Sequence, residues 1–130
     1  MTATKIDETE VARLFHLYAD EDGETHVVPM ALGPVLGDVP VKRVEILHYN
    51  RRNDDWHVAP TRRFALNIVG ELDVKTSDGT TQRLGPRDLI FIEDTAGKGH
   101  VTLPLTPITV IFIHVEDGFD VLSWAGNTGT

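Results

Sequence analysis

The sequence predicts an all-β single domain, and three observations carry that reading. Short runs of Val, Ile, Leu, Phe and Tyr are cut every few residues by Gly, Pro and Asp-Gly pairs; no stretch sustains a 3.6-residue apolar period; and no segment repeats or falls to low complexity. Strands punctuated in this way build sandwiches or barrels. With 130 residues, of which 41% are hydrophobic and 25% charged, the chain can enclose one core but not two.

The elements follow in order. Residues 1–10 are polar and are expected to form a flexible N-terminus ahead of a domain spanning 11–124. Asp22-Gly23, between RLFHLYA and HVVPMAL, predicts a hairpin, because glycine accepts the positive φ of a tight turn. Residues 31–41 contain Gly33, Pro34, Gly37 and Pro40 and predict a connecting loop. Lys42 to Asn50 alternates as a strand, with Val44, Ile46 and His48 on one face and Arg43, Glu45, Leu47 and Tyr49 on the other. Apolar residues on both faces predict a strand covered on both sides.

Arg51 to Asp55 reads as a polar loop, and Thr61 to Thr76 as one long strand. Phe64, Leu66, Ile68, Leu72 and Val74 share one face of it; Arg63, Ala65, Asn67, Val69 and Glu71 share the other, a polar series that predicts a cavity. Asp78-Gly79 and Gly85-Pro86 are turns, and Asp88 to Asp94 is a strand. Gly97-Lys98-Gly99 predicts a bent or mobile loop before His100, and ITVIFIHVE after Pro107 is the last strand. Trp124 is expected to dock a flexible tail, residues 125–130.

Composition removes several function classes. The chain has no cysteine, which excludes disulfides, thiolate chemistry and zinc-finger frameworks. A net charge of −8 repels a phosphate backbone, so nucleic acid is not an expected partner. No run reaches the roughly 18 apolar residues of a membrane span, and MTATKIDETE lacks the features of a signal peptide. A cytoplasmic protein with no membrane partner is expected.

The residues of one stretch carry more. Asp55-Trp56-His57, Ala59-Pro60, Arg62, Gly70-Glu71, Ser77-Asp78-Gly79, Gly85-Pro86, Asp88 and the run EDTAGKGH ending at His100 together resemble the two motifs of the cupin family, and RLFHLYADEDGETH fits the same subgroup of small single-domain cupins. The resemblance implies a cupin-type jelly-roll β-barrel. It also implies a metal site of His-x-His, Glu and a second-motif His. Aligned on Gly70, the first His falls on His57, the second on Ala59, the Glu on Arg63, and the second-motif His on His100.

Two of four implied ligands therefore survive. A guanidinium has five donors, no acceptor and a permanent charge, so Arg63 repels a cation instead of binding one. If a divalent metal is present, His57 and His100 are its expected ligands, with His48 or Glu71 as substitutes. The metal-free expectation is an anion site: Arg63 and Asn67 hold a carboxylate or an enolate, and His57, His100 or Asp94 moves a proton. His48 and Trp56 are further pocket candidates.

Each residue also has a plainer role. His57 can anchor its loop, Arg63 can bridge to Glu71 or Asp94, and Arg62 should point to the surface. His48 and His114 can be satisfied core histidines, His16 and His26 packing or surface groups, and Glu93 a salt-bridge residue. The leading expectation is a lyase, isomerase or cyclase acting on a small anionic or carbonyl-bearing molecule. The alternatives are a non-catalytic binding or sensing cupin and a metal-dependent dioxygenase or lyase. A homodimer closed through the first hairpin is expected.

Overall fold

A computed structural model describes residues 12–34, 36–49 and 55–126. The expected flexible N-terminus, most of the 51–55 loop and the end of the tail lie outside them. The described chain is all-β apart from one short helix. In order the strands are β1 (Leu14–Ala19), β2 (Thr25–Met30), β3 (Val41–Tyr49), β4 (Arg63–Val69), β5 (Leu72–Thr76), β6 (Thr81–Leu84), β7 (Leu89–Ile92), β8 (His100–Pro104) and β9 (Ile108–Val115), followed by α1 (Val121–Trp124). No helix among the described residues is long and apolar enough to cross a membrane.

Two sheets form. The larger runs β2-β1-β7-β4-β9-β3 and the smaller β6-β5-β8. All pairings are antiparallel except β1 with β7. The Asp22-Gly23 hairpin is present, with Ala19 opposite Thr25.

The long strand expected over 61–76 is two strands. Gly70 interrupts it at φ +90°, and a Cβ there would stand 2.2 Å from the Pro107 carbonyl oxygen. Only glycine fits that crossing. The break, with a register shift between Asn67 and Val69, changes the phase of the alternation. Leu72 and Val74 consequently face the same cavity as Arg63, Ala65 and Asn67 instead of sharing a face with Phe64.

Alternation along the large sheet sorts its side chains into two cores. Phe15, Leu17, Ala65, Ile90, Ile108 and Val110 turn toward the small sheet. Leu14, Phe64, Phe91 and Val115 turn the other way, onto Phe119, Val121, Ala125 and Trp124. Asp120 caps α1 by accepting from the Leu122 and Ser123 amides, and the Trp124 indole N–H donates to the Gly37 carbonyl at 2.7 Å. Trp124 thus docks the C-terminal segment as expected. Ala125 is itself buried, and its carbonyl accepts from the Gly33 amide, so the packed unit runs past the expected boundary at 124.

The edge strand β3 departs from expectation. Its Leu47 side meets the cavity, but Val44 and Ile46 are 56% and 69% exposed, so within one chain the described residues leave its outer face open.

Candidate functional site

A cavity of about 470 Å³ lies between the two sheets, within the rough range of small-molecule sites. Aliphatic side chains supply most of its wall, including Leu47, Leu72, Val74, Leu84, Ile90 and Val110. Its polar groups are Arg43, Glu45, Tyr49, His57, Arg63, Asn67, His100 and Thr102.

The two histidines that bracket the motif stretch do meet. His57 forms an isolated antiparallel bridge with the first residue of β8: its amide donates to the His100 carbonyl at 3.0 Å and its carbonyl accepts from the His100 amide at 2.9 Å. Gly99 permits this crossing. At φ +78°, a Cβ on it would lie 2.5 Å from the His57 carbonyl oxygen. Far from being mobile, the 97–99 loop is pinned: the Thr25 hydroxyl donates to the Gly99 carbonyl at 2.7 Å and the Lys98 amide to the Gly23 carbonyl at 2.8 Å.

The imidazole rings stand 4.6 Å apart, centroid to centroid. His100 is buried, and its Nδ1 lies 2.6 Å from Oδ2 of the fully buried Asp94. An ionised carboxylate only accepts, so Nδ1 carries the proton and Nε2 is left as an acceptor. His57 is more exposed, and its Nδ1 donates to the Asp55 carbonyl at 3.0 Å, which also leaves Nε2 as the acceptor. Asp94 does not line the cavity. It acts on the site through His100, and its second oxygen, Oδ1, has no hydrogen-bond partner among the described residues.

Arg63 opens β4 and turns into the cavity. Its guanidinium lies over the Phe112 ring, 4.8 Å from the centroid, and its buried Nε has no partner among the described residues. Burial lowers its pKa, opposed by the charges of Glu45, Tyr49 and Asp94 nearby. The bridge to Glu71 or Asp94 that the sequence allows does not form. Glu45, the adjacent carboxylate, is already engaged: His114 Nε2 donates to it at 2.5 Å and Arg43 stands 3.3 Å away. The His114 bond first, then the arginine charges, hold its pKa below the usual carboxylate range. Tyr49 has its hydroxyl pKa pushed up by burial, against the pull of Arg63, so it remains a donor.

Asn67 is 3% exposed. Its Nδ2 donates to the Gly70 carbonyl at 2.8 Å, which fixes the amide orientation, and its Oδ1 accepts nothing among the described residues.

Two expected pocket residues lie elsewhere. His48 shares the outward face of β3 with Val44 and Ile46 and pairs with the Thr109 hydroxyl at 2.9 Å; alternation that sends Leu47 and Tyr49 inward must send His48 out. Trp56 is 52% exposed and off the cavity wall, since it precedes the inward-facing His57 by one residue. Arg62 is not a surface group. It pairs with Glu93, donates to the Phe119 carbonyl and stacks on Phe91. Glu93 also accepts from His16 and is a salt-bridge residue, as expected. His114 is a satisfied core histidine, held by Thr61 and Glu45.

Tyr49, Glu45, Arg43 and Thr102 were not singled out from sequence. The β3 alternation, which places Arg43, Glu45 and Tyr49 opposite Val44 and Ile46, was the signal that could have found those three; Thr102 lies on β8, two residues after His100.

The four positions that the resemblance assigns to a metal do not fit one. Ala59 is buried and has no donor, and Arg63 brings a cation into the wall. Among the described residues, no three His, Cys, Asp or Glu side chains gather to hold an ion. No family model matches the chain, and no curated protein matches it in sequence.

Proposed function

We propose that this chain is a cupin-type jelly-roll whose cavity binds a small organic anion or carbonyl compound and performs proton-transfer chemistry of the lyase, isomerase or cyclase type without a metal. The observation that carries the reading is the buried Asp94–His100 pair at 2.6 Å on a cavity that also holds Arg63, a guanidinium with no acceptor among the described residues. The two-sheet architecture around a central cavity and the motif residues support the fold assignment.

Each group then has a role. His100 Nε2 takes a proton from a carbon next to a carbonyl, and Asp94 holds the ring and stabilises the imidazolium that results. Arg63 receives the negative charge that develops on the carbonyl oxygen, with the Tyr49 hydroxyl as a second donor. The His100 imidazolium then returns a proton to the product, and His57 Nε2, an acceptor beside it, receives a hydrogen bond from a hydroxyl of the bound compound. Placed donors of this kind are worth roughly 10²–10³ each in rate.

Deuterium exchange at carbon-bound hydrogens, followed by NMR over a panel of small keto acids and ketones, tests this reading. Wild-type protein should catalyse exchange in at least one compound, and His100→Gln should abolish it while the compound still binds. Binding of the panel with no exchange in any member would replace the enzyme by a sensor. Loss of both activities on chelation, with a stoichiometric ion recovered, would replace it by a metal-dependent site.

A further inference from the structure

We infer that a second copy of this chain docks, sheet face on sheet face, against the outer surface of β3, β9 and β4, making the protein a twofold dimer. The contact lies at the opposite end of the large sheet from the first hairpin, where the sequence led us to expect it. It is independent of the chemistry proposed for the cavity.

Strand register defines the surface. Glu45 faces the cavity, so Val44 and Ile46 on either side of it face away. Ile46 stands opposite Ile111 of β9, which stands opposite Leu66 of β4. Residues directly opposite one another put their side chains on one face, so an apolar row crosses three strands. A second row, His48, Thr109 and Val69, runs beside it. The register shift between Asn67 and Val69 leaves both Ile68 and Val69 off the cavity wall.

This half of the outer face contrasts with the half beside it. Under the C-terminal segment, Phe64 and Phe91 are buried against Phe119 and Val121. Beyond that cover, Ile46 is 69%, Val44 56%, Val69 52% and Ile68 42% exposed, and the half-buried Leu66 and Ile111 belong to neither core. Strands about 5 Å apart, and about 13 Å of strand from Val44 to His48, give the patch an area on the order of 300 Å² once side-chain width is added. A patch of that size on a soluble protein marks an interaction site. It supplies more than a third of the about 800 Å² that a standard interface buries on each partner, and a polar rim supplies the rest.

Charge identifies the occupant. Neither row carries a carboxylate, a lysine or an arginine, in a chain of which 25% is charged. Copies of net charge −8 repel one another, and at this face they meet without setting carboxylate against carboxylate. A partner of another kind is selected by complementary charge or by a pocket for an anchoring side chain. The patch offers neither: it is uncharged, and its residues line neither the central cavity nor the groove beside Trp124. An uncharged apolar face is complementary to itself, as a twofold contact requires.

Sedimentation equilibrium of the full chain over a range of concentrations tests the assignment. Wild-type protein should have twice the 14.4 kDa mass of one chain. Ile46→Glu and Val69→Glu, on two different strands, should each raise the dimer dissociation constant at least about a hundredfold, because each sets like charges on the twofold contact. Both positions are exposed in the single chain, so the far-ultraviolet circular dichroism of the variants should match that of wild type. Val28→Glu, an equally exposed position on β2 of the first hairpin, should leave the dimer intact. A wild-type protein that stays monomeric at the highest concentration reached would overturn the inference. So would a dimer that withstands both substitutions, or one broken by Val28→Glu in their place.

Discussion

Arg62 and Arg63 are neighbours in the chain and serve opposite faces of one sheet. On one side Arg62 pairs with Glu93, donates to the Phe119 carbonyl and covers the Phe91 ring, so its Nε, its Nη2 and its flat face all hold the fold. On the other side Arg63 lies over Phe112 with no acceptor among the described residues, facing a cavity of about 470 Å³. The surroundings follow the same division. The Arg62 side is filled by aromatic rings in edge contact, Phe64 with Phe91 at 4.8 Å and Phe64 with Trp124 at 5.0 Å. The Arg63 side is aliphatic and hollow. One face of the large sheet is packed for stability, and the other gives up packing and hydrogen bonds that a ligand can restore.

The sharpest way to break this contrast is to hollow out the filled side. Phe91 is fully buried and touches Phe64, Phe119 and the Arg62 guanidinium. Phe91→Ala should cost about 3–5 kcal/mol of folding free energy, by lost transfer free energy plus an unfilled cavity. Urea denaturation followed by tryptophan fluorescence measures it, since Trp124 belongs to the same cluster. A loss under about 1 kcal/mol would mean that this side is not the structural one.

On the hollow side the same kind of experiment should give the opposite sign. Arg63→Met removes a cation that burial disfavours and that makes no ion pair among the described residues, while an apolar chain of similar length can still lie on Phe112. Because the group is only partly buried, the gain is small, at most about 1 kcal/mol. Carboxylate binding should fall by about tenfold or more in the same protein. A variant that melts well below wild type would place Arg63 among the structural residues with Arg62.

How much of this contrast the sequence discloses depends on how local its cause is. The period-2 alternation around Arg63, Ala65 and Asn67 was sufficient to predict a cavity-facing series, whereas only the family resemblance put His57 and His100, 43 residues apart, on one site; the two do pair. Leu72 and Val74 were misplaced because Gly70 breaks the strand, and the reason, a carbonyl of Pro107 in van der Waals conflict with any Cβ, comes from residues far along the chain. Arg62 was misread for the same kind of reason. Strand alternation correctly turns it away from Arg63, but whether that face meets solvent or Phe91, Phe119 and Glu93 depends on where the C-terminal segment folds back. His48 and Trp56 were proposed for their chemistry, and their direction, set by alternation, overrules it. The engagement of Glu45 by His114, which leaves Arg63 without an acceptor, requires β3 and β9 to be paired and is legible only in three dimensions.

The smallest expected effect is electrostatic and lies away from both faces, where the first hairpin is tied to the turn after β5. His26 stands between Asp20, at 2.8 Å, and Asp78, at 2.9 Å. The two carboxylate hydrogen bonds, Asp20 before Asp78, raise the His26 pKa above its ordinary value of 6.5. Desolvation pushes Asp78 up, but hydrogen bonds from Thr76, Thr80 and His26 outweigh it and bring the group from 3.8 to about 2. The signs then fix a window. The raised histidine contributes stability that is whole below 6.5 and is lost as pH rises through its folded pKa. The depressed carboxylate contributes stability that is whole above 3.8 and is lost as pH falls toward about 2. Between those limits both contributions are present, so His26→Gln should lower the melting temperature most near the middle of the window. The gap to wild type should narrow as pH rises through and beyond neutrality, where the wild-type imidazole loses its charge, and it should shrink in high salt because the pair is exposed. A gap that stays constant from acidic to alkaline pH would show that His26 contributes by packing on Tyr18, 5.3 Å away ring to ring, and not by charge.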